Sequence, residues 1–266
     1  MVRWFKGAKS ENISLKVAAV VAFVVMVTSN ALANIIPING NNTGEVSDAY
    51  ANLFAPIGFT FSIWGVIYAL LAVFCIYQFK KFRTKKSKVS EKVLNNILPY
   101  FIASSILNSI WIFAWHYRQI GLSTLIIIAI LGCLVKIVAV LSRENYTKRD
   151  YLFVRLPFSV YFGWLTVAVI ANITTWLVAI DWNTWGFSQS FWTIVVLVIG
   201  ALIGTITAEK NRDAVYLAVF VWAYFGILAK HLSSAGFNGQ YEQIITVLVV
   251  ILGLFVYKIY RLATFK

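Results

Sequence analysis

Residues 56–79, PIGFTFSIWGVIYALLAVFCIYQF, hold no charged side chain over 24 positions, and the chain then turns basic through Lys80, Lys81, Arg83, Lys85, Lys86, Lys88 and Lys92. A helix needs only about 20 apolar residues to cross a hydrocarbon core about 30 Å thick. The run is therefore long enough to span a membrane. Seven more apolar stretches follow the same plan, at 17–36, 97–117, 120–141, 156–180, 190–207, 214–230 and 244–262. The reading is an all-α, polytopic membrane helix bundle of eight transmembrane helices.

Composition agrees with that reading. Of 266 residues, 60% are hydrophobic and only 12% charged, with a mean hydropathy of +0.78, whereas a soluble domain carries about 25% charged residues. A net charge of +13 would suit a nucleic-acid partner, but membrane proteins sort Lys and Arg to their cytoplasmic loops. Here 20 of the 23 basic residues fall at the two termini or in the connections 80–92, 143–155 and 208–213. The connections 37–55, 118–119, 181–189 and 230–243 carry only Arg118 and Lys230. That alternation requires an even number of spans, with both termini cytoplasmic; the cell membrane is the expected location. No nucleic-acid partner is expected. Cys75 and Cys133 lie inside apolar runs and offer neither a disulfide framework nor a zinc spacing.

The first segment has two readings. Its basic leader, apolar run and Ala31-Leu32-Ala33 match a signal peptide with a small-residue cleavage site; the reading preferred is a retained first helix, extended to Ile36 and stopped by Pro37. The connection after it, from Pro37-Ile38-Asn39-Gly40 to Glu45, is turn-rich and acidic, so it lies outside and is long enough to act as a lid or to be a solvated linker. Its Asn41-Asn42-Thr43 triplet is a formal glycosylation sequon of the kind that occurs by chance. Trp4, Tyr77, Trp115, Tyr117, Trp182 and Trp185 lie near helix ends and are expected to anchor the chain at the membrane interface.

Polar and aromatic residues recur at helical spacing within three segments. In segment two, Phe61, Trp64 and Tyr68 fall within about 60° of one another at about 100° per residue. Segment three presents Ser104, Asn108, Trp111 and Trp115 on one face, and segment five Tyr161, Trp164, Ala168, Ala171, Asn172 and Thr175. A buried asparagine must find a partner or line a cavity. At 1.5 Å per residue, Trp64, Trp111 and Asn172 all sit about 9–12 Å below the outer surface. The three stripes are expected to converge on a pocket beneath the 37–55 connection.

These stripes carry a family resemblance. Phe54-Ala55-Pro56-Ile57-Gly58-Phe59-Thr60-Phe61-Ser62-Ile63-Trp64-Gly65-Val66-Ile67-Tyr68 resembles the second-helix signature of the TspO/translocator-protein family, the tryptophan-rich sensory proteins, which reads approximately W-x-P-P-G-x-x-F-x-x-x-W-x-x-x-Y. Asn108-Ser109-Ile110-Trp111 is similar to the family's N-x-x-W, and Trp164, Ala168, Asn172 and Trp176 match its W-x-x-x-A-x-x-x-N-x-x-x-W. The resemblance covers about residues 17–180, with Phe54 and Ile57 standing where the signature has Trp and Pro, and Pro157 three residues early. The whole chain resembles an extended branch with three additional helices. It implies a TspO-like five-helix bundle at 1–180 with 181–266 packed on it. It also implies a site for a flat, lipophilic ligand such as a tetrapyrrole or sterol, lined by Phe61, Trp64, Tyr68, Asn108, Trp111, Trp164, Ala168 and Asn172.

The function expected is binding of a hydrophobic planar ligand, of the porphyrin or haem kind, for sensing or trafficking. A transporter of an amphiphile and a tetrapyrrole-degrading enzyme are the alternatives, and no catalytic or metal-site motif supports the latter. No cofactor is required by this reading. Partners would be the lipid bilayer, the small hydrophobic ligand and, in a homodimer, a second copy. Lys136 inside segment four reads as a lysine snorkelling to the surface or as an internal cation for a ligand carboxylate. His116 and His231, at segment ends, read as interfacial polar tips; axial haem ligation by His116 has no spacing motif behind it.

Overall fold

The computed structural model describes residues 11–264, so Trp4 and the basic residues Arg3, Lys6, Lys9 and Lys266 lie outside it. Among the described residues there are eight helices long and apolar enough to cross a membrane. They are α1 (Ile13–Ile35), α3 (Ile63–Tyr77, preceded by a 3-10 turn Gly58–Ser62), α4 (Glu91–His116), α5 (Ile120–Leu141), α7 (Leu156–Ala179), α8 (Gln189–Asn211), α9 (Ala214–Leu232) and α10 (Glu242–Thr264). One turn, α6 (Lys148–Asp150), runs through a π-helical turn (Tyr151–Arg155) into α7. The remaining α-helix, α2 (Thr43–Asp48), lies in the first long connection.

Side-chain caps set where several of these helices begin. Asn12, Ser90, Ser188 and Asp213 each accept from the backbone N–H three residues on, satisfying a donor that the first turn leaves open. The bundle is built around α7. Every residue from Pro157 to Val167 is buried, as expected of a helix that is apolar all round. The α5, α3 and α9 helices pack on α7, α4 bridges α5 to α1, and α10 joins α9 to α8.

Two glycines account for the close fit of α9. A Cβ at Gly163 would lie 2.9 Å from the Tyr216 carbonyl oxygen, and one at Gly226 would lie 2.1 Å from Thr60 Oγ1. Only hydrogen fits at either point. The Ile57 N–H donates to the Gly226 carbonyl and the Trp222 indole to that of Thr60, so α9 is bonded directly to the start of segment two.

At the end of the bundle that carries 80–92 and 142–147, the basic end, buried charges are paired. Lys16, fully buried, lies 2.6 Å from Glu11 and 2.9 Å from Glu91, and Arg83 pairs with the other oxygen of Glu91. Burial by itself would raise the Glu11 carboxyl, but Lys16 and the Lys80 amide outweigh it and hold Glu11 below its ordinary value. Asp150, also fully buried, accepts from Tyr77 Oη, Ser87 Oγ, the Lys88 amide and Thr147, clamping the end of α3 and the connections 80–92 and 143–155 with one carboxylate. Tyr77 is thus a buried clamp rather than an interfacial anchor. Lys136 is exposed on the outer side of α5, which removes it as an internal cation and leaves the snorkelling geometry.

Candidate ligand site: an aromatic cavity under the lid helix

At the opposite end, the lid end, α2 closes over the bundle. Asn42 accepts from the Gly44 and Glu45 amides while Glu45 accepts from the Asn42 amide, a capping box that satisfies both ends of the turn. The Asn42 triplet is therefore a helix cap. Thr43 fixes the lid to the wall below. Its carbonyl accepts from the Trp115 indole at 3.2 Å, its amide donates to Asn34 Oδ1, and its hydroxyl lies 3.2 Å from His116 Nε2.

These bonds correct two expectations. Trp115 and His116 are both buried, because the lid gives their polar atoms partners that lipid headgroups would otherwise supply. The second ring nitrogen of His116 faces the Ile38 carbonyl, so neither is left for a haem iron. His231 is likewise buried, with Nε2 2.9 Å from the Leu53 carbonyl. Tyr117 and Trp185, by contrast, are exposed at this end, where an amphipathic ring can meet the interface.

Beneath the lid lies a cavity of about 50 Å³. Six of the eight residues expected at the site line it: Phe61, Trp64, Trp111, Trp164, Ala168 and Asn172. Trp64 is the hub. Its ring stacks on Tyr68 (5.5 Å between centroids), lies tilted to Trp111 (6.2 Å) and meets Tyr161 and Trp164 edge-on. Offset and edge-to-face contacts of this kind add about 0.5–1.5 kcal/mol per pair beyond burial.

The asparagines serve the walls. Asn172 Oδ1 accepts from the Trp111 indole while its Nδ2 donates to Ser123 and Thr124, tying α4, α5 and α7 together. Asn108 does not reach the cavity; it accepts from Asn30 at 2.7 Å and donates to Tyr161, holding α1 on α4. Tyr68 also lies outside the inner cavity, on a second chamber of about 270 Å³ that shares Thr43, Phe61, Trp64 and Trp111 with it.

Two polar groups in these walls have no partner. The Trp164 Nε1–H faces none, nor does the Tyr68 hydroxyl, and both atoms are buried. Buried polar groups are paired in the great majority of cases, so these two stand out beside Asn108 and Asn172, whose oxygen and nitrogen atoms all have partners. Sequence reasoning missed α9, whose Ala223 and Ile227 complete the wall together with Ala55 and Pro56. The cavity therefore crosses the boundary expected at 180. The signal was present as the Trp222, Phe225-Gly226 echo of Phe162-Gly163-Trp164, small residues set beside large rings. Among the described residues no group of His, Cys, Asp and Glu is placed to hold a metal ion.

Eight apolar spans, a central buried helix and an aromatic cavity closed by a capped lid define a polytopic α-helical membrane protein. A family model described as TSPO-like protein matches residues 16–260, and the chain belongs to that family. The match takes in all three helices beyond 180, in keeping with the contribution of α9 to the wall. No curated protein and no solved structure matches the chain.

Proposed function

We propose that the cavity binds a flat, lipophilic small molecule that carries hydrogen-bond acceptors, for sensing or trafficking rather than turnover. The observation that carries this reading is the aromatic wall itself, Phe61, Trp64, Trp111 and Trp164 set around the small Ala168 and Ala171; the buried, unpartnered indole N–H of Trp164 is a donor that an acceptor on the ligand would satisfy once Trp64 moves aside. At about 50 Å³ the inner cavity has room for a few waters and for no ring system, since a small-molecule site encloses about 300–1,000 Å³. A ligand must therefore displace Trp64, the ring that borders both this cavity and the neighbouring chamber, and a tetrapyrrole would need a larger opening still.

Binding is favoured over passage by the other half of the bundle. Toward the basic end, the fully buried rings of Phe74, Phe101 and Phe158 pack edge to face with centroids 4.8–5.7 Å apart. That plug separates the cavity from the basic end. For a transporter, all three rings would have to move.

Photolabelling tests the site. A naphthyl carboxamide bearing a diazirine should place adducts on the segments around Trp64, Trp111 and Ala168, and excess unlabelled carboxamide should suppress them. Adducts confined to lipid-facing positions such as Val249 and Val250, and insensitive to competition, would count against it.

We also propose that the basic end faces the cytoplasm of the cell membrane, on the strength of the Lys and Arg residues of the connections 80–92, 143–155 and 208–213. With a membrane-impermeant maleimide on intact cells, Ala49→Cys should be labelled at once and Lys86→Cys only after permeabilisation; the opposite order would invert the orientation.

A further inference from the structure

The second chamber says what kind of ligand the site takes. The α1 helix is fastened to α4 by the Asn30–Asn108 bond but to α3 chiefly at the basic end, where Gln78 Nε2 donates to the Lys16 carbonyl and Phe23, Phe74 and Phe101 interlock. Toward the lid end the chamber lies between α1 and α3. The chamber fills that seam, with Val27, Ala31 and Ile35 on one side, Trp64 and Tyr68 on the other and Ile112 at the back. Ala31 is exposed and Ile35 is 76% exposed, so the seam opens sideways onto the lipid leaflet at the lid end.

Four residues, Thr43, Phe61, Trp64 and Trp111, border both this chamber and the inner cavity, and Trp64 is the one that also stacks on Tyr68. On its two sides stand the two unpartnered buried groups, the Tyr68 hydroxyl and the Trp164 N–H. Turning Trp64 out of its stack with Tyr68 would join the two spaces into roughly 300 Å³, the lower bound for a small-molecule site. One end of the joined space is polar in its needs and enclosed; the other is apolar and open to hydrocarbon.

Resting on the cavity being a ligand site, we propose that its ligand is a membrane-dissolved amphiphile of defined shape. A flat head bearing hydrogen-bond acceptors lies between Tyr68 and Trp164, and a hydrocarbon chain attached to it runs along the α1–α3 seam into the leaflet. Such a molecule reaches the site sideways without its chain leaving hydrocarbon. Lipid tails are as apolar as the seam, so shape and packing, not the hydrophobic effect, select the chain.

The test uses the full chain in lipid nanodiscs and two probes read by quenching of tryptophan fluorescence: 2-methyl-1,4-naphthoquinone, and the same ring with a decyl chain at the neighbouring carbon. Ala31→Phe adds bulk at an exposed position in the seam and should weaken the decyl probe at least tenfold while leaving the chainless probe within twofold. An equal effect on both probes, or on neither, overturns the chain subsite and leaves the seam to bulk acyl chains. Ala168→Phe, in the inner cavity, separates the two readings, since it should weaken both probes. If it weakens neither, the inner cavity is not the site and the chain proposal falls with it.

Discussion

Asp213→Ala is expected to lower the stability of the fold by about 3–5 kcal/mol, the usual cost of removing one member of a buried ion pair. Asp213 Oδ2 accepts from Arg155 at 2.8 Å and from Ser159 Oγ at 2.6 Å, and its Oδ1 caps α9 through the Tyr216 amide at 3.0 Å. Both charged side chains are at least 94% buried, and Arg155 Nη1 already lacks a partner. Alanine would strand the guanidinium, open the α9 cap and loosen the turn that joins α8 and α9 to α7. Thermal unfolding in detergent reads the effect directly. The double variant Arg155→Leu/Asp213→Leu should recover much of the loss, because apolar pairs often replace buried ion pairs at little cost. An Asp213→Ala midpoint equal to wild type would show that the pair does not hold α9 in place.

The eight spans were legible because each rests on a local property, about twenty predominantly apolar residues with few charges, bounded by a basic connection or a turn. The stripes were legible for the same reason. Helical period puts Trp64 over Tyr68 and Trp164 beside Ala168 whatever the neighbours are. The lid was only half legible. Asn42 and Glu45 stand three apart, which is capping-box spacing, but the short helix they start has no apolar period to announce it.

What the residues did not disclose was partnership at long range. Trp115 and His116 sit at the end of an apolar segment, as interfacial anchors do, and their burial depends on Thr43 and Ile38, more than 70 positions away. Asn108 and Asn172 share one local signature, a polar residue on an aromatic stripe. Only packing decides that Asn172 borders the cavity while Asn108 faces α1. The wall from α9 is of the same kind. Gly226 reads as one more small residue until Thr60 is seen against it.

Ala168 offers the sharpest test of the site, since it lies one turn from both Trp164 and Asn172 and its methyl group faces the 50 Å³ void. Phenylalanine there adds a ring to a space that holds none. It should compete with any ligand for the same volume, with a loss of affinity above about 100-fold, equivalent to about 2.7 kcal/mol. Overpacking can itself cost about 1–3 kcal/mol of stability, so Ala168→Leu serves as the milder variant and should give an intermediate loss. The decisive measurement is a titration of tryptophan fluorescence with 2-methyl-1,4-naphthoquinone in nanodiscs. Saturable quenching of wild type, weakened by leucine and abolished by phenylalanine in variants that retain the wild-type helical circular dichroism, is the result expected. Identical quenching curves for the three proteins would contradict a ligand site under the lid.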